Sequence, residues 1–373
     1  MKLQFEHLRE GFHFLRRRFS RNGHRRYAGS PKEIIRQTVQ DNFDGHIFAA
    51  GQGNHRMFYI RDIGLAAPGL LYMGMREELE QCMRTALRIW EDEGRVTTSI
   101  NHKLKAVDVF EYGADSLSLL LRTLRLLGSN DLVHQYEHFL NKCIRHYGST
   151  VFDPEMSLVR DDRPFSTTKD NTIRPSPLYA NLNMLLLQHE IWRLRDVGHR
   201  LEDPLKEYDT MGAVMERFWM YDKGSFRDAL GHEYVAADQI FAPFLRVFHD
   251  EPKISGMLDV IIKEGLADPL PLKYTQAPKP GTENKLLSMM APNYQGNTIW
   301  TMLGVAFLWV LHEREDARTE EYLRRYERII ARDGNCIEIY NPDLSMYRAP
   351  AYVYDEGMTW FAPLYRVLDE RGR

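Results

Sequence analysis

Apolar positions recur at helical spacing along almost the whole chain, and glycines or prolines stand where each run stops. Beyond residue 30 the pattern predicts twelve helical segments, at 31–43, 61–74, 76–93, 114–128, 131–147, 177–196, 204–219, 236–249, 253–264, 298–313, 317–332 and 355–370. They are of two kinds. TIWTMLGVAFLWVLHE (298–313), SLSLLLRTLRLL (116–127) and LYANLNMLLL (178–187) are apolar nearly all round, the pattern of a helix covered on every side. The successors of the first two, 317–332 and 131–147, are heavily charged and amphipathic.

The apolar kind begins near residues 61, 114, 177, 236, 298 and 355, a step of about 60 residues that reads as six repeated helical hairpins. Closing six hairpins on themselves gives an all-α, (α/α)6 toroid, with an inner ring of sandwiched helices inside an outer ring that shows one face to water. An open solenoid would have a tighter period and short loops. Here long loops (44–60, 95–113, 149–176, 220–235, 265–297 and 333–354) precede each inner helix, so all six are expected to open on one end of the toroid and to build the site there. The 220–235 loop has the pattern of a small β-hairpin. The expected organisation is a basic leader, 1–30, and one catalytic domain, 31–373.

Composition narrows the partners. A net charge of −3 with interspersed signs argues against nucleic acid. The absence of an apolar run of about 18 residues argues against a membrane span. The leader carries Arg16, Arg17, Arg18, Arg21, Arg25 and Arg26 with no apolar stretch after them, which fits a solvated, partly frayed segment better than a signal peptide. Three scattered cysteines, Cys82, Cys143 and Cys336, form neither a disulfide framework nor a metal spacing, and point to a reducing cytoplasm. No metal or cofactor motif is found. His55, His102, His189 and His232 show no metal-ligand spacing and read as structural.

Polar residues collect at the starts of the inner helices: Arg61 and Asp62, Glu111 and Asp115, Tyr179 and Asn181, Asp238, then Tyr294, Gln295, Asn297 and Trp300, then Glu338 with Asp355 and Glu356. Helix capping accounts for Asp238 and the Asp355-Glu356 pair, and partly for Asp115. It accounts poorly for Arg61, a cation where the helix dipole disfavours one, and leaves Glu338, in the extended stretch CIEIYNP, unexplained. An inverting glycosidase needs two carboxyl groups about 6.5–9.5 Å apart across a sugar, one protonated as acid and one ionised as base. Carboxylates on loops at one end of a toroid meet that need.

Four stretches bear a family resemblance. MFYIRDIGLAAPGLLYMG (57–74) resembles the sugar-holding Arg-Asp segment of α/α-toroid glycosidases. EYGADSLSLLLRTLRLLG (111–128) resembles the acid-bearing segment of alkaline/neutral invertases and is similar to that of processing α-glucosidases and trehalases, with Tyr112 where a small residue is expected. NYQGNTIW (293–300) looks like a stretch of glucoamylases and amylo-α-1,6-glucosidases, with Gly296-Asn297 in place of Asn-Gly. CIEIYNPD (336–343) followed by EGMTWFAPL (356–364) resembles the base segment and closing helix of the same clan.

The resemblance implies an inverting exo-glycosidase acting on a small-molecule carbohydrate, most simply an α-glucoside. Asp115 would be the acid and Glu338 the base, with Glu111 and Glu356 as their alternatives. Tyr59, Arg61, Asp62, Glu111, Tyr294, Gln295, Asn297, Trp300 and Trp360 would hold the sugar. Three rivals stay open: invertase-like cleavage of sucrose, a sugar 2-epimerase on the same toroid, and a non-catalytic carbohydrate-binding protein. The epimerase is disfavoured by the lack of histidines at the inner-helix starts. A homodimer is a base-rate expectation only.

Overall fold

A computed structural model of the chain describes residues 17, 23–109, 111–170, 172–277 and 283–372. Six inner helices form a ring: Ile60–Tyr72, Ser116–Leu127, Leu178–Asp196, a 3-10 turn Ala237–Ile240 running into Phe241–Phe244, Thr301–Glu313, and a 3-10 turn Thr359–Phe361 running into Ala362–Glu370. Each packs on the next, and the sixth packs on the first, so the ring closes. The outer ring comprises Pro31–Asp41, Arg76–Glu93, the pair Asn130–Gln135 and Glu137–Thr150, Thr210–Phe218, Glu251–Lys263 and Thr319–Asp333.

The two kinds of hydrophobic pattern have the expected cause. Every residue from Thr301 to Leu311 is buried, because the fifth inner helix has protein on all sides. The outer helix Thr319–Asp333 buries Tyr322, Leu323, Tyr326, Ile329 and Ile330 on one face, with Thr319 and Asp333 buried at its ends, and turns its charged face to water. Local signals set the ends. Ser30 and Glu33 make a reciprocal capping box around Pro31. Gly94, Gly128 and Gly334 take the left-handed conformation that ends a helix.

The predicted segments fail in four places, one of them 204–219, which is helical only over Thr210–Phe218. The segment 236–249 is helical only over 237–244, because Arg246 adopts φ +56° and turns the chain away, with the Val247 amide donating back to the Ala242 carbonyl. The segment 131–147 is two helices broken at Tyr136. The last inner helix begins at Thr359, leaving Asp355 and Glu356 in a loop. The hairpin gains a strand: Trp219–Met220, Ser225–Ala229 and His232–Val235 form a three-stranded antiparallel sheet. Elsewhere two-residue strands tie the long loops together. Phe58–Tyr59 pairs with Ser99–Ile100, and Ile299–Trp300 pairs with Ile339–Tyr340 in the register Ile339 to Trp300. This pairing fixes Glu338 against the start of the fifth inner helix, where Thr301 donates its amide to the Glu338 carbonyl at 3.1 Å. No described helix is long and apolar enough to cross a membrane.

Candidate active site at the loop end of the toroid

Three inner helices meet at Asp115. It occupies the cap position of the second inner helix, yet its side chain caps nothing. Oδ2 accepts from Arg61 Nε and, at 2.9 Å, from the Tyr179 hydroxyl, while Arg61 Nη2 lies 3.4 Å from Oδ1. Capping therefore fails here. It fails also at Asp238, whose carboxylate takes Arg174 Nη1 at 2.5 Å, and at Asp355, which accepts the backbone N–H groups of Gly53, His55 and Glu356 at 2.8, 2.6 and 2.7 Å. The awkward cation at a helix N-terminus, Arg61, is balanced by Asp115 and by Asp170, 3.9 Å away.

Asp170 escaped the sequence reading because it lies in the long 149–176 loop. It is half-buried, and burial raises its carboxyl above the ordinary range against the pull of Arg61, with the nearby Asp115 charge adding to the rise. A buried ion network holds its loop. Lys169 Nζ lies 3.3 Å from Asp228, Arg174 binds both Asp228 and Asp238, and Tyr274 and Gln295 donate to the Thr168 carbonyl at 2.7 and 3.0 Å. Polar residues clustered in one loop between two helices were the available signal.

Glu338 is the centre of a second cluster. The Tyr294 hydroxyl donates to Oε1 at 2.8 Å, the Tyr352 hydroxyl lies 2.8 Å from Oε2, the Asp355 amide donates to Oε2 at 2.9 Å, and His55 Nε2 stands 3.3 Å from Oε1. Burial would raise this carboxyl, but the hydrogen bond and charge of His55, then Tyr294 and the Asp355 amide, outweigh it and hold Glu338 below its ordinary value. Burial likewise opposes the charge on His55, and is overcome by Glu338, Asp355 and Asp62, which raise the imidazole to about 9. His55 is thus an imidazolium in the site and not the bystander its isolation in the sequence implied.

Asp62 joins the two clusters. It is buried at the third position of the first inner helix, and burial raises it to about 6 against the attraction of Arg61 and His55. Tyr59 stacks its ring edgewise on His55 at 5.7 Å. Trp300 spends its indole N–H on the Tyr294 carbonyl at 2.7 Å and packs edgewise on that ring. Other expected sugar contacts are occupied elsewhere. Gln295 is bound to Thr168; Asn297 closes a turn with Asn293; Trp360 is buried with its N–H 3.1 Å from Thr301 Oγ1. Glu111 is half-buried, and its carboxylate bonds no described residue. Glu356 is paired with Arg17.

That pairing sets Arg17 apart from the solvated leader the sequence suggested, in which Arg25 and Arg26 are exposed. Arg17 reaches the loop end, where it binds Glu356 and lies 3.1 Å from Asp355 Oδ1; Arg16, Arg18 and Arg21 lie outside the described residues. No group of three or more metal-ligating side chains occurs among the described residues.

A glycosidase structure superposes on 92% of this chain and 97% of its own with TM-score 0.65 at 13% identity. The chain has the toroid fold of glycosidases. A rhamnosidase from Klebsiella oxytoca with rhamnose bound gives TM-score 0.67 at 13% identity, over 92% of this chain and 63% of that one. The GH63 mannosylglycerate hydrolase from Thermus thermophilus in complex with glucose gives 0.60 at 12%, over 91% and 100%. No family model and no curated protein matches the sequence. At these identities the likeness covers the fold, and the chemistry has to be argued from the side chains of the toroid itself.

Proposed function

We propose that the protein is an inverting exo-acting glycoside hydrolase that removes a terminal sugar from a small soluble glycoside, with an α-glucoside as the first substrate class to try. One observation carries the reading. A carboxyl held below its ordinary value, Glu338, shares one end of the toroid with two that burial raises, Asp62 and Asp170, and carboxyls pushed apart in this way are how one site runs acid and base chemistry together.

Glu338 fits the base. With Tyr294, Tyr352 and the Asp355 amide fixing both oxygens, it activates the water that attacks the anomeric carbon. For the acid the sequence pointed to Asp115, with Glu111 as the alternative. Asp115 now has both oxygens engaged by Arg61, and one by Tyr179 as well. It serves better as the anchor that holds Arg61 against the sugar hydroxyls. Asp170, beside Arg61 and raised by burial, is the better proton donor to the leaving oxygen. Asp62, Tyr59 and Arg61 complete the cup for the terminal sugar. Fold neighbours that carry rhamnose or glucose support a monosaccharide-sized cup.

The test is product release from maltose, isomaltose, trehalose, sucrose and glucosylglycerate, with mannosylglycerate and an aryl rhamnoside added. Turnover of one member, lost in Glu338→Gln and producing the inverted anomer by NMR, supports the proposal. Retention of configuration, or full activity in Glu338→Gln, overturns it. A sugar epimerase is the second reading, and His55 in the site restores some weight to it. Such chemistry uses a histidine pair, whereas His55 meets Glu338 alongside the hydroxyls of Tyr294 and Tyr352.

A further inference from the structure

The opposite end of the toroid holds a cavity of about 630 Å³ to which all six inner helices contribute, from Pro68 and Leu71 on the first to Arg366 on the sixth. Five arginines line it: Arg122, Arg125, Arg193, Arg246 and Arg366. Three glutamates answer them. Glu190 takes Arg125 and Arg193, Glu313 takes Arg246 and Arg366, and Glu370 also takes Arg366. Two positive charges are left over, and the geometry shows where one of them lies. Arg122 is buried, at 6% exposure, and is bonded by no carboxylate among the described residues. Its Nη1 donates to the Gly64 carbonyl at 2.8 Å and its guanidinium stands 5.6 Å over the Phe244 ring; Nε and Nη2 bond no described group.

Helix dipoles explain part of this. The inner helices end here, and cations in a last turn are favoured, as Arg125 and Arg193 are. Arg122 is the seventh residue of a twelve-residue helix, outside that last turn. This guanidinium stands beside four others, feels the charge of Glu190 without being bonded by it, and turns two unspent nitrogens toward the cavity.

We propose that this cavity is an anion site that takes a small phosphate monoester. The phosphate is gripped by the Arg122 fork, which suits planar, bidentate recognition, and the organic part lies on Pro68, Leu71 and Leu126. The site is remote from the carboxylates and stands independently of the hydrolase reading.

Calorimetric titration of the full chain with inorganic phosphate, and separately with a hexose 6-phosphate, tests it at an ionic strength held constant with chloride. Saturable one-to-one binding is expected, roughly tenfold or more weaker in Arg122→Met. Leu126→Glu, which offers an internal counter-charge without removing an arginine, is expected to abolish binding and keeps the test valid if Arg122→Met does not fold. Tighter binding of the ester assigns a role to the apolar wall; equal binding assigns the site to the inorganic ion. Absence of saturable binding, or unchanged affinity in the folded variants, overturns the proposal.

Discussion

Asp115 and Glu338 make an instructive pair. Their side chains are equally buried, at 1% exposure each, each faces one cation, and each is touched by tyrosine hydroxyls. The cations differ. Arg61 is held well above its already high value by Asp115, Asp170 and Tyr179 despite the burial that opposes it, so it never releases its proton. His55 titrates near 9 and answers to three carboxylates. The Asp115 cluster is a fixed electrostatic frame; the Glu338 cluster is an adjustable one. A frame that cannot change its charge suits binding, and one that tunes a carboxylate suits catalysis.

The largest effect that would break this contrast is at Glu338. Glu338→Gln is expected to lower kcat by roughly 10²–10⁴-fold, the range of a lost general base, with KM nearly unchanged. A loss confined to KM would move Glu338 to the binding side. Next come the two aspartates. Asp170→Asn should lower kcat on an alkyl glycoside by a similar roughly 10²–10⁴-fold and recover on an aryl glycoside whose leaving group needs no proton. Asp115→Asn should raise KM and show no such recovery, because it frees Arg61. Recovery in Asp115→Asn instead would return the acid to Asp115.

The adjustable cluster also makes a pH prediction. His55→Gln removes the charge that holds Glu338 below its ordinary value, so the acid limb of kcat/KM should move to higher pH. The groups bonding Glu338 are His55, Tyr294, Tyr352 and the Asp355 amide, and the Asp355 carboxyl, raised by burial, also feels the Glu338 charge. For stability the sign runs the other way from a carboxylate. The folded value of about 9 lies above the ordinary 6.5, so the His55 contribution is complete below pH 6.5 and fades as pH rises through 9. Thermal melts of wild type and His55→Gln should converge above that pH.

Much of the ring was legible in the sequence, because a helix covered on all sides has no choice but to be apolar all round, and 301–311 is so. Its closure is steric as well. A Cβ on Gly69 would stand 2.1 Å from the Ala362 carbonyl carbon and 2.2 Å from the Pro363 nitrogen, where the first and sixth inner helices touch through their backbones. Gly69→Ala should therefore destabilise by about 1–3 kcal/mol, read as a lowered Tm, with the active-site pH profile unchanged. The site was legible only in part. Arg61 and Glu338 stood out because neither fits the capping rule. His55 did not, since its meaning depends on a carboxylate 283 residues away. Asp170 needs a loop folded by Lys169, Arg174, Asp228 and Asp238, and no periodicity reports on that. Arg17 belonged to a charge run whose usual fate is solvation, and its partners are 338 and 339 residues away.

The smallest predicted effect falls on Asp62, between the two clusters. Its folded value of about 6 lies above the ordinary 3.8, so the fold favours the protonated form. Below pH 3.8 both folded and unfolded chains carry the proton and nothing is lost. Between 3.8 and 6 the unfolded chain ionises first, and stability falls by an amount that the shift sets at about 3 kcal/mol as an upper bound. Asp62→Asn removes that loss, a figure already net of the attraction of Arg61 and His55, so the gain above pH 6 should lie between about 1 kcal/mol and that bound. Urea melts at pH 3.5 and 7.5 read it directly. A gain at 7.5 that vanishes at 3.5, together with weakened sugar binding, makes Asp62 a buried carboxyl whose charge is kept against the stability of the fold for the sake of the site. A loss at 7.5 would mean that Arg61 and His55 need its charge, and the two clusters would then have to be treated as one.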